Sequence, residues 1–403
     1  MNPSPQSASN DAIPTTQQKN RCSLKDIGEI KEKYFMKFHH YVILIVFSVA
    51  VANCYGQTAN NFTVTAYYFG GPEKVDSLAV EKLTHIIFSF CHLTGNKLTV
   101  DDEKDSQSIK KLVEAKKRNK SLKVLLSLGG WGGCKMCSDV FSSAEGRKEF
   151  SQSVLDLNKL YGTDGIDLDW EYPAVEGYPD HAFKPADKPN FTALVRELRN
   201  TLGNKYEITF AAGGFQQFLD EAVEWKEVMS IVDRVNLMTY DLVNGNSIVT
   251  GHHTGLYSSP EQHESTDNAV QYLIKLGIPS KKLVIGAAFY GRIWENVSDT
   301  KNGLYQSGKF KKGVNYKDFG KEISATKGFV LYWDDVTKSP YAYNPEQKLF
   351  VTYDDKRSMD LKAKYVVDQQ LNGIMFWELT HDTYRDGLLQ TIDNVKKNYK
   401  VSR

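Results

Sequence analysis

The sequence predicts an α/β fold, a (β/α)8 TIM barrel with a small α+β insertion between strand 7 and strand 8. Three observations lead there. From Phe62 onward, eight short apolar runs alternate with longer amphipathic segments. Several of those runs are apolar on both faces, as parallel strands covered on each side should be. Between Gly291 and about Lys364 the alternation breaks into short strand-like runs separated by turn residues. A chain of 403 residues is long enough for such a barrel or for two ordinary domains.

The elements follow in order. FTVTAYYF (62–69) and HIIFSFC (85–91) read as the first two strands. SIKKLVEAKKR (108–118) has helical spacing and leads into LKVLLSLGG (122–130). The helix-like RKEFSQSVLDLNKLY (147–161) precedes GIDLDWEY (165–172). NFTALVRELRNTLG (190–203) is the next helix, followed by the strands YEITFAAG (206–213) and DRVNLMTYD (233–241). TDNAVQYLIKLG (266–277) is a helix stopped by Gly277, with Pro279 just beyond. KLVIGAAFYG (282–291) and NGIMFWELT (372–380) are the last two strands. Within the insertion, GLYQSGKF, KGFVLYWDD and KLFVTYDD read as short antiparallel strands. The barrel domain is thus expected over 58–290 and 365–403, with the insertion over 291–364.

The first 57 residues stand apart. Residues 1–35 are polar and rich in Ser, Gln, Asn and Pro. MKFHHYVILIVFSVAVANCYGQ (36–57) has a basic start, an apolar run from Tyr41 to Ala52, then small and polar residues. That is the layout of a secretory signal peptide, and the run is short for a membrane span. The expectation is a start at Met36 and a secreted or periplasmic mature protein. A signal anchor is the rival.

Export permits disulfides, and the mature part holds Cys91, Cys134 and Cys137. Cys134 and Cys137 could close a small loop, or Cys91 could pair with one of them. Zinc needs about four ligands, and no second CxxC or clustered His pair supplies them, so neither metal nor other cofactor is expected. Charged residues make up 25% of the chain and the net charge is +1, which gives no footing for nucleic acid or an acidic membrane. A monomer is expected.

DGIDLDWE (164–171) carries the chemistry. Successive strand side chains alternate, so Asp167, Asp169 and Glu171 share one face, spaced about 7 Å apart, and Ile166, Leu168 and Trp170 share the other. On the outside of a barrel the apolar set would be covered by helices. The acids then point inward, toward the mouth at the C-terminal ends of the strands, where barrel enzymes keep their catalytic groups. Coupled carboxylates cannot all ionise, so one retains a proton near neutral pH and becomes a general acid. The other strand ends offer Tyr67, Phe88, Ser127, Trp131, Tyr240, Tyr290 and Trp377. An aromatic mouth over a deep acid describes a glycosidase better than a metalloenzyme.

These residues closely resemble glycoside hydrolase family 18, the chitinases. Asp164 to Glu171 match the family's DGxDxDxE at every fixed position. Ser127-Leu128-Gly129-Gly130 match SxGG, with Trp131 following. MTYD at Met238 to Asp241, FYGR at Phe289 to Arg292 and Trp377 in GIMFWE match the signatures of strands six, seven and eight. The resemblance implies a retaining chitinase acting on chitin or chitooligosaccharides, with the substrate's own acetamido group as nucleophile.

It implies that Glu171 is the general acid and base, that Asp169 orients the acetamide, and that Asp167 holds a shared proton. Tyr240 would bond the acetamide oxygen, and Trp377 would floor the reacting sugar. Phe88, Trp131, Met238, Asp241, Tyr290 and Arg292 would bind substrate, with Tyr67 and Ser127 beneath the acids. Two alternatives share the fold: an endo-β-N-acetylglucosaminidase on N-glycans, and a chitin-binding lectin. Lectins of the family lose the acid, whereas residue 171 here is Glu. After MTYD the chain reads LVNGNSIVTGHHTG, without the Trp of many chitinases, and His252 and His253 are assigned no chemistry.

Overall fold

The computed structural model describes residues 62–401. The expected N-terminal extension and signal peptide lie outside the described residues. Eight parallel strands form the barrel: β1 (Thr63–Tyr68), β2 (His85–Thr94), β4 (Lys123–Gly129), β5 (Gly165–Asp169), β6 (Glu207–Gly213), β7 (Arg234–Met238), β8 (Leu283–Ala288) and β14 (Gly373–Trp377). Their order is β1-β14-β8-β7-β6-β5-β4-β2, and pairing of β1 with β2 closes the ring. A short strand, β3 (Lys97–Thr99), folds back antiparallel on β2.

The alternation of side chains sorts residues into two cores. Val64, Ala66, Tyr68, Ile86, Phe88, Ile166, Leu168 and Trp170 pack outward against the helices. Tyr67, Ile87, Leu125, Ala211, Met238, Val284 and Met375 fill the barrel interior. Helix starts are set by short polar side chains that accept from free backbone amides. Ser143 accepts from Gly146 N at the head of helix Ala144–Tyr161, and Ser265 accepts from Asn268 N at the head of helix Thr266–Lys275. Gly162, at φ 74°, ends the first of these in the left-handed conformation that glycine adopts without strain.

The insertion is a five-stranded antiparallel sheet: β9 (Tyr290–Glu295), β10 (Lys309–Asn315), β11 (Val330–Asp334), β12 (Ser339–Asn344) and β13 (Leu349–Thr352), in the order β10-β9-β13-β12-β11. One face buries Ile293, Val314, Ala342 and Val351; the other buries Trp294, Tyr341, Tyr343 and Phe350. Because β9 starts two residues after β8 ends, the sheet grows directly from the barrel mouth. The barrel resumes with helix Lys356–Asp368, which packs on β8 and β14. Its Lys362 is fully buried and pairs with Asp354, Nζ to Oδ2 at 2.6 Å, while Asp354 also accepts from Ala288 N at 3.2 Å. That buried pair ties the insertion, the last barrel helix and the end of β8 together. Among the described residues, no helix is long and apolar enough to cross a membrane.

Candidate active site

The acids stand where the alternation of β5 puts them. Asp167 and Asp169 are inside the barrel, and Glu171 follows two residues past the strand end, partly open to the mouth. Asp167 is fully buried at the base. Its neighbours across the sheet are Ser127 on β4 and Thr209 on β6, in direct register. Four donors surround it: Tyr67 Oη at 2.9 Å and Ser127 Oγ at 3.2 Å on one oxygen, Thr209 Oγ1 at 2.5 Å and Asn236 Nδ2 at 3.0 Å on the other. Burial raises its pKa, and those hydrogen bonds oppose the rise.

Asp169 lacks that support. It is buried and its Oδ1 has no hydrogen-bond partner. Burial, with the charges of Glu171 and Asp167, pushes its pKa well above the usual carboxylate range. Glu171 is pushed up to about 7, chiefly by burial; a hydrogen bond with Tyr172 works against the shift and the charge of Asp241 adds to it. Protonation is thus favoured throughout the column, and its outermost member, Glu171, titrates near neutral pH, where a general acid can give its proton away.

The glycines of SLGG let the chain pass close to this column. A Cβ on Gly129, at φ 104°, would lie 2.4 Å from the Asp169 carbonyl oxygen. One on Gly130, at φ 76°, would lie 2.4 Å from the Phe90 ring. Beyond them, Trp131 projects into solvent with its ring against Tyr178 at 5.5 Å.

Aromatic rings line the mouth above the acids. Trp377, the last residue of β14, stacks on Phe90 at 5.7 Å and lies 6.0 Å from Tyr67 and 6.1 Å from the exposed Phe69. Tyr240 packs edge-on to Tyr290, ring centres 6.2 Å apart, and its hydroxyl lies 3.7 Å from Met375 Sδ. Asp241 forms a forked pair with Arg292, which reaches it from β9, with Nη2 to Oδ2 at 2.5 Å. Burial opposes ionisation of Asp241, but His253 and Arg292 hold its pKa well below the usual range. The site thus places one fixed negative charge beside carboxyls whose pKa values are raised.

Residues 63–382 match the model of glycosyl hydrolases family 18. The chain belongs to that family. It is 28% identical to chitinase A1 of Niallia circulans over 87% of this chain and 61% of that protein. It is 29% identical to chitinase B of Serratia marcescens over 78% of this chain and 76% of that one. The solved structure of a family 18 N-acetylglucosaminidase from Paenibacillus barengoltzii overlays with a TM-score of 0.76 at 36% identity, covering 83% of this chain and all of that one.

Within this family 18 barrel, one expected substrate contact is corrected. Phe88 is buried in the outer layer between strand and helices, because Ile87 takes the inward position. A register irregularity between Phe88 and Cys91 resets the alternation, and Phe90 becomes the ring at the mouth. Tyr67 and Ser127 contact Asp167 and are shut off from solvent, and Met238 caps the inner core. Cys134 and Cys137 are bridged, and Cys91 is free and buried.

Thr209, Asn236, Phe90 and His253 went unassigned in the sequence. The first two carried a signal: each is a polar residue at the inward position of an otherwise apolar strand. His253 carried none, because only the fold brings its loop against Asp241, with Nδ1 3.5 Å from Oδ1.

Proposed function

We propose that this chain is a secreted, retaining chitinase that cleaves β-1,4-linked N-acetylglucosamine chains with help from the substrate's own acetamido group. Glu171 carries the reading: it is the one acid of the column that reaches the open mouth, and it keeps its proton up to about pH 7. A protonated carboxyl at that place suits a reaction whose leaving oxygen must gain a proton. The aromatic rings of Trp377, Phe90 and Phe69 suit the flat faces of a sugar chain.

The steps follow from the column. Glu171 gives its proton to the glycosidic oxygen as the C1–O bond breaks. The acetamido carbonyl oxygen attacks C1 from the opposite face and forms an oxazolinium. Asp169 turns to the acetamide N–H, passes its proton inward to Asp167, and opposes the positive charge that grows there. Three of the four donors to Asp167 are hydroxyls, which can also accept, so they suit either protonation state of that carboxyl. Tyr240 holds the acetamide oxygen in line. Water then attacks C1, Glu171 takes a proton from it, and the oxazolinium opens. Two inversions at C1 give net retention.

A sugar without an acetamido group has no nucleophile to offer. Hydrolysis of chitotetraose with no turnover of cellotetraose supports the reading; comparable rates on the two would overturn it. Secretion rests on the apolar run at Tyr41–Ala52 behind a basic start. N-terminal sequencing of protein recovered from the culture medium tests it, and an intact residue 1 would contradict it.

A further inference from the structure

His253 is fully buried and the steps above do not use it. Its main chain is pinned on both sides: the amide donates to Thr352 Oγ1 at 3.1 Å, and the carbonyl accepts from Leu242 N at 3.1 Å. The ring lies 5.2 Å from that of Tyr290, which leaves its Nδ1 edge facing Asp241. Yet neither ring nitrogen completes a hydrogen bond, and Nδ1 stands 3.5 Å from Asp241 Oδ1. A buried polar ring left this way is costly. A movement of Asp241 by about half an ångström would bring the pair to ordinary hydrogen-bond length.

Asp241 is the more exposed member of that pair. It sits at φ 57°, between Tyr240 and the loop that carries His253, and it is partly open to the mouth. Arg292 grips both oxygens of the carboxylate, and His253 Nδ1 faces Oδ1, the oxygen that Arg292 Nε also holds. The charged or titratable groups around the imidazole are Asp241 after β7, Tyr290 and Arg292 on β9, and Asp354 after β13 with its partner Lys362. Burial keeps the ring neutral, with Asp241 opposing and Arg292 assisting. A neutral ring beside a carboxylate has one useful arrangement, with the proton on the facing nitrogen.

We propose that His253 is a positioning residue: neutral, with its proton on Nδ1, it closes on Asp241 when a sugar engages that carboxylate and fixes it beside Glu171. The inference rests on the chitinase reading for the identity of the sugar, but not for the ring's own state.

Nitrogen-15 NMR of histidine-labelled protein tests that state directly, with the His253 signal assigned by its loss in His253→Asn. The expected result is a neutral, Nδ1-protonated ring at pH 7, with the Nδ1 signal moving downfield when chitotetraose is added to the Glu171→Gln variant. An Nε2-protonated ring, an imidazolium, or no movement with bound sugar would overturn the proposal. Kinetics give a second test. His253→Leu should lower kcat on chitotetraose by about tenfold to a hundredfold, as expected for loss of a hydrogen bond to a charged group, with a smaller change in KM. His253→Asn, which keeps a donor, should recover most of the loss. Equal losses in the two variants would refute a positioning role. If the parent protein turns over no chitotetraose, the chitinase reading fails, and the ring state in the resting protein still decides the fate of His253.

Discussion

Replacing Glu171 by Gln removes a titrating carboxyl with little change of shape, and the fold should gain stability from it at neutral and alkaline pH. The folded-state pKa is raised from 4.5 to about 7. Below about pH 4.5 the carboxyl is neutral in both states, and parent and variant differ only by a fixed offset. As pH rises, the unfolded chain releases the proton while the folded chain retains it, so the parent loses stability until pH passes about 7.

The rise corresponds to about 3 kcal/mol, trimmed toward about 2 by the partial exposure of the group. For about 340 described residues, unfolding entropy near 2 cal/mol/K per residue gives about 0.7 kcal/mol/K. The variant should therefore melt about 3–4 °C higher relative to the parent at pH 8 than at pH 4. Calorimetric melts of both proteins across pH 4 to 8 measure this. A melting difference that stays constant with pH would refute the assignment of a raised pKa to Glu171.

The same carboxyl should appear in the kinetics as an alkaline limb of kcat/KM near pH 7, the form required for activity being the protonated one. Asp241→Asn removes a charge that raises that pKa, so the limb should move to lower pH. Lys362→Met leaves Asp354 buried without its cation; it should cost about 3–5 kcal/mol, or about 4–7 °C in Tm, and adding Asp354→Asn should restore part of it. Tyr67→Phe deletes one of the four donors to Asp167 and should lower kcat about tenfold or more with KM little changed, measured on chitotetraose. Reduction of the Cys134–Cys137 bridge, which closes a very short loop, should cost no more than about 2 kcal/mol by thermal melting.

The barrel was legible because its signals are local. Each strand announced itself as an apolar run, and the phase of DGIDLDWE alone placed the acids inward and Trp170 outward. What stayed hidden depends on tertiary contact. Phe88 and Phe90 share one apolar run, and only the irregularity in the pairing of β2 with β4 decides which ring faces the mouth. Thr209 and Asn236 lie 42 and 69 residues from Asp167 in sequence, so their bonds to it form only when the ring of strands closes. His253 reads as an ordinary loop residue until β9 lays Tyr290 and Arg292 against the same carboxylate. The buried pair of Lys362 and Asp354 was equally silent, since a lysine in a helix is expected on its wet face.

In the proposed reaction Glu171 gives its proton to a bond broken with the help of the substrate's acetamide. The most direct measurement is hydrolysis of chitotetraose by the protein and by Glu171→Gln, with the anomeric form of the fresh products followed by proton NMR. The parent should release β-anomeric product and the variant almost none. Release of the α-anomer, or unchanged turnover by the variant, would contradict it.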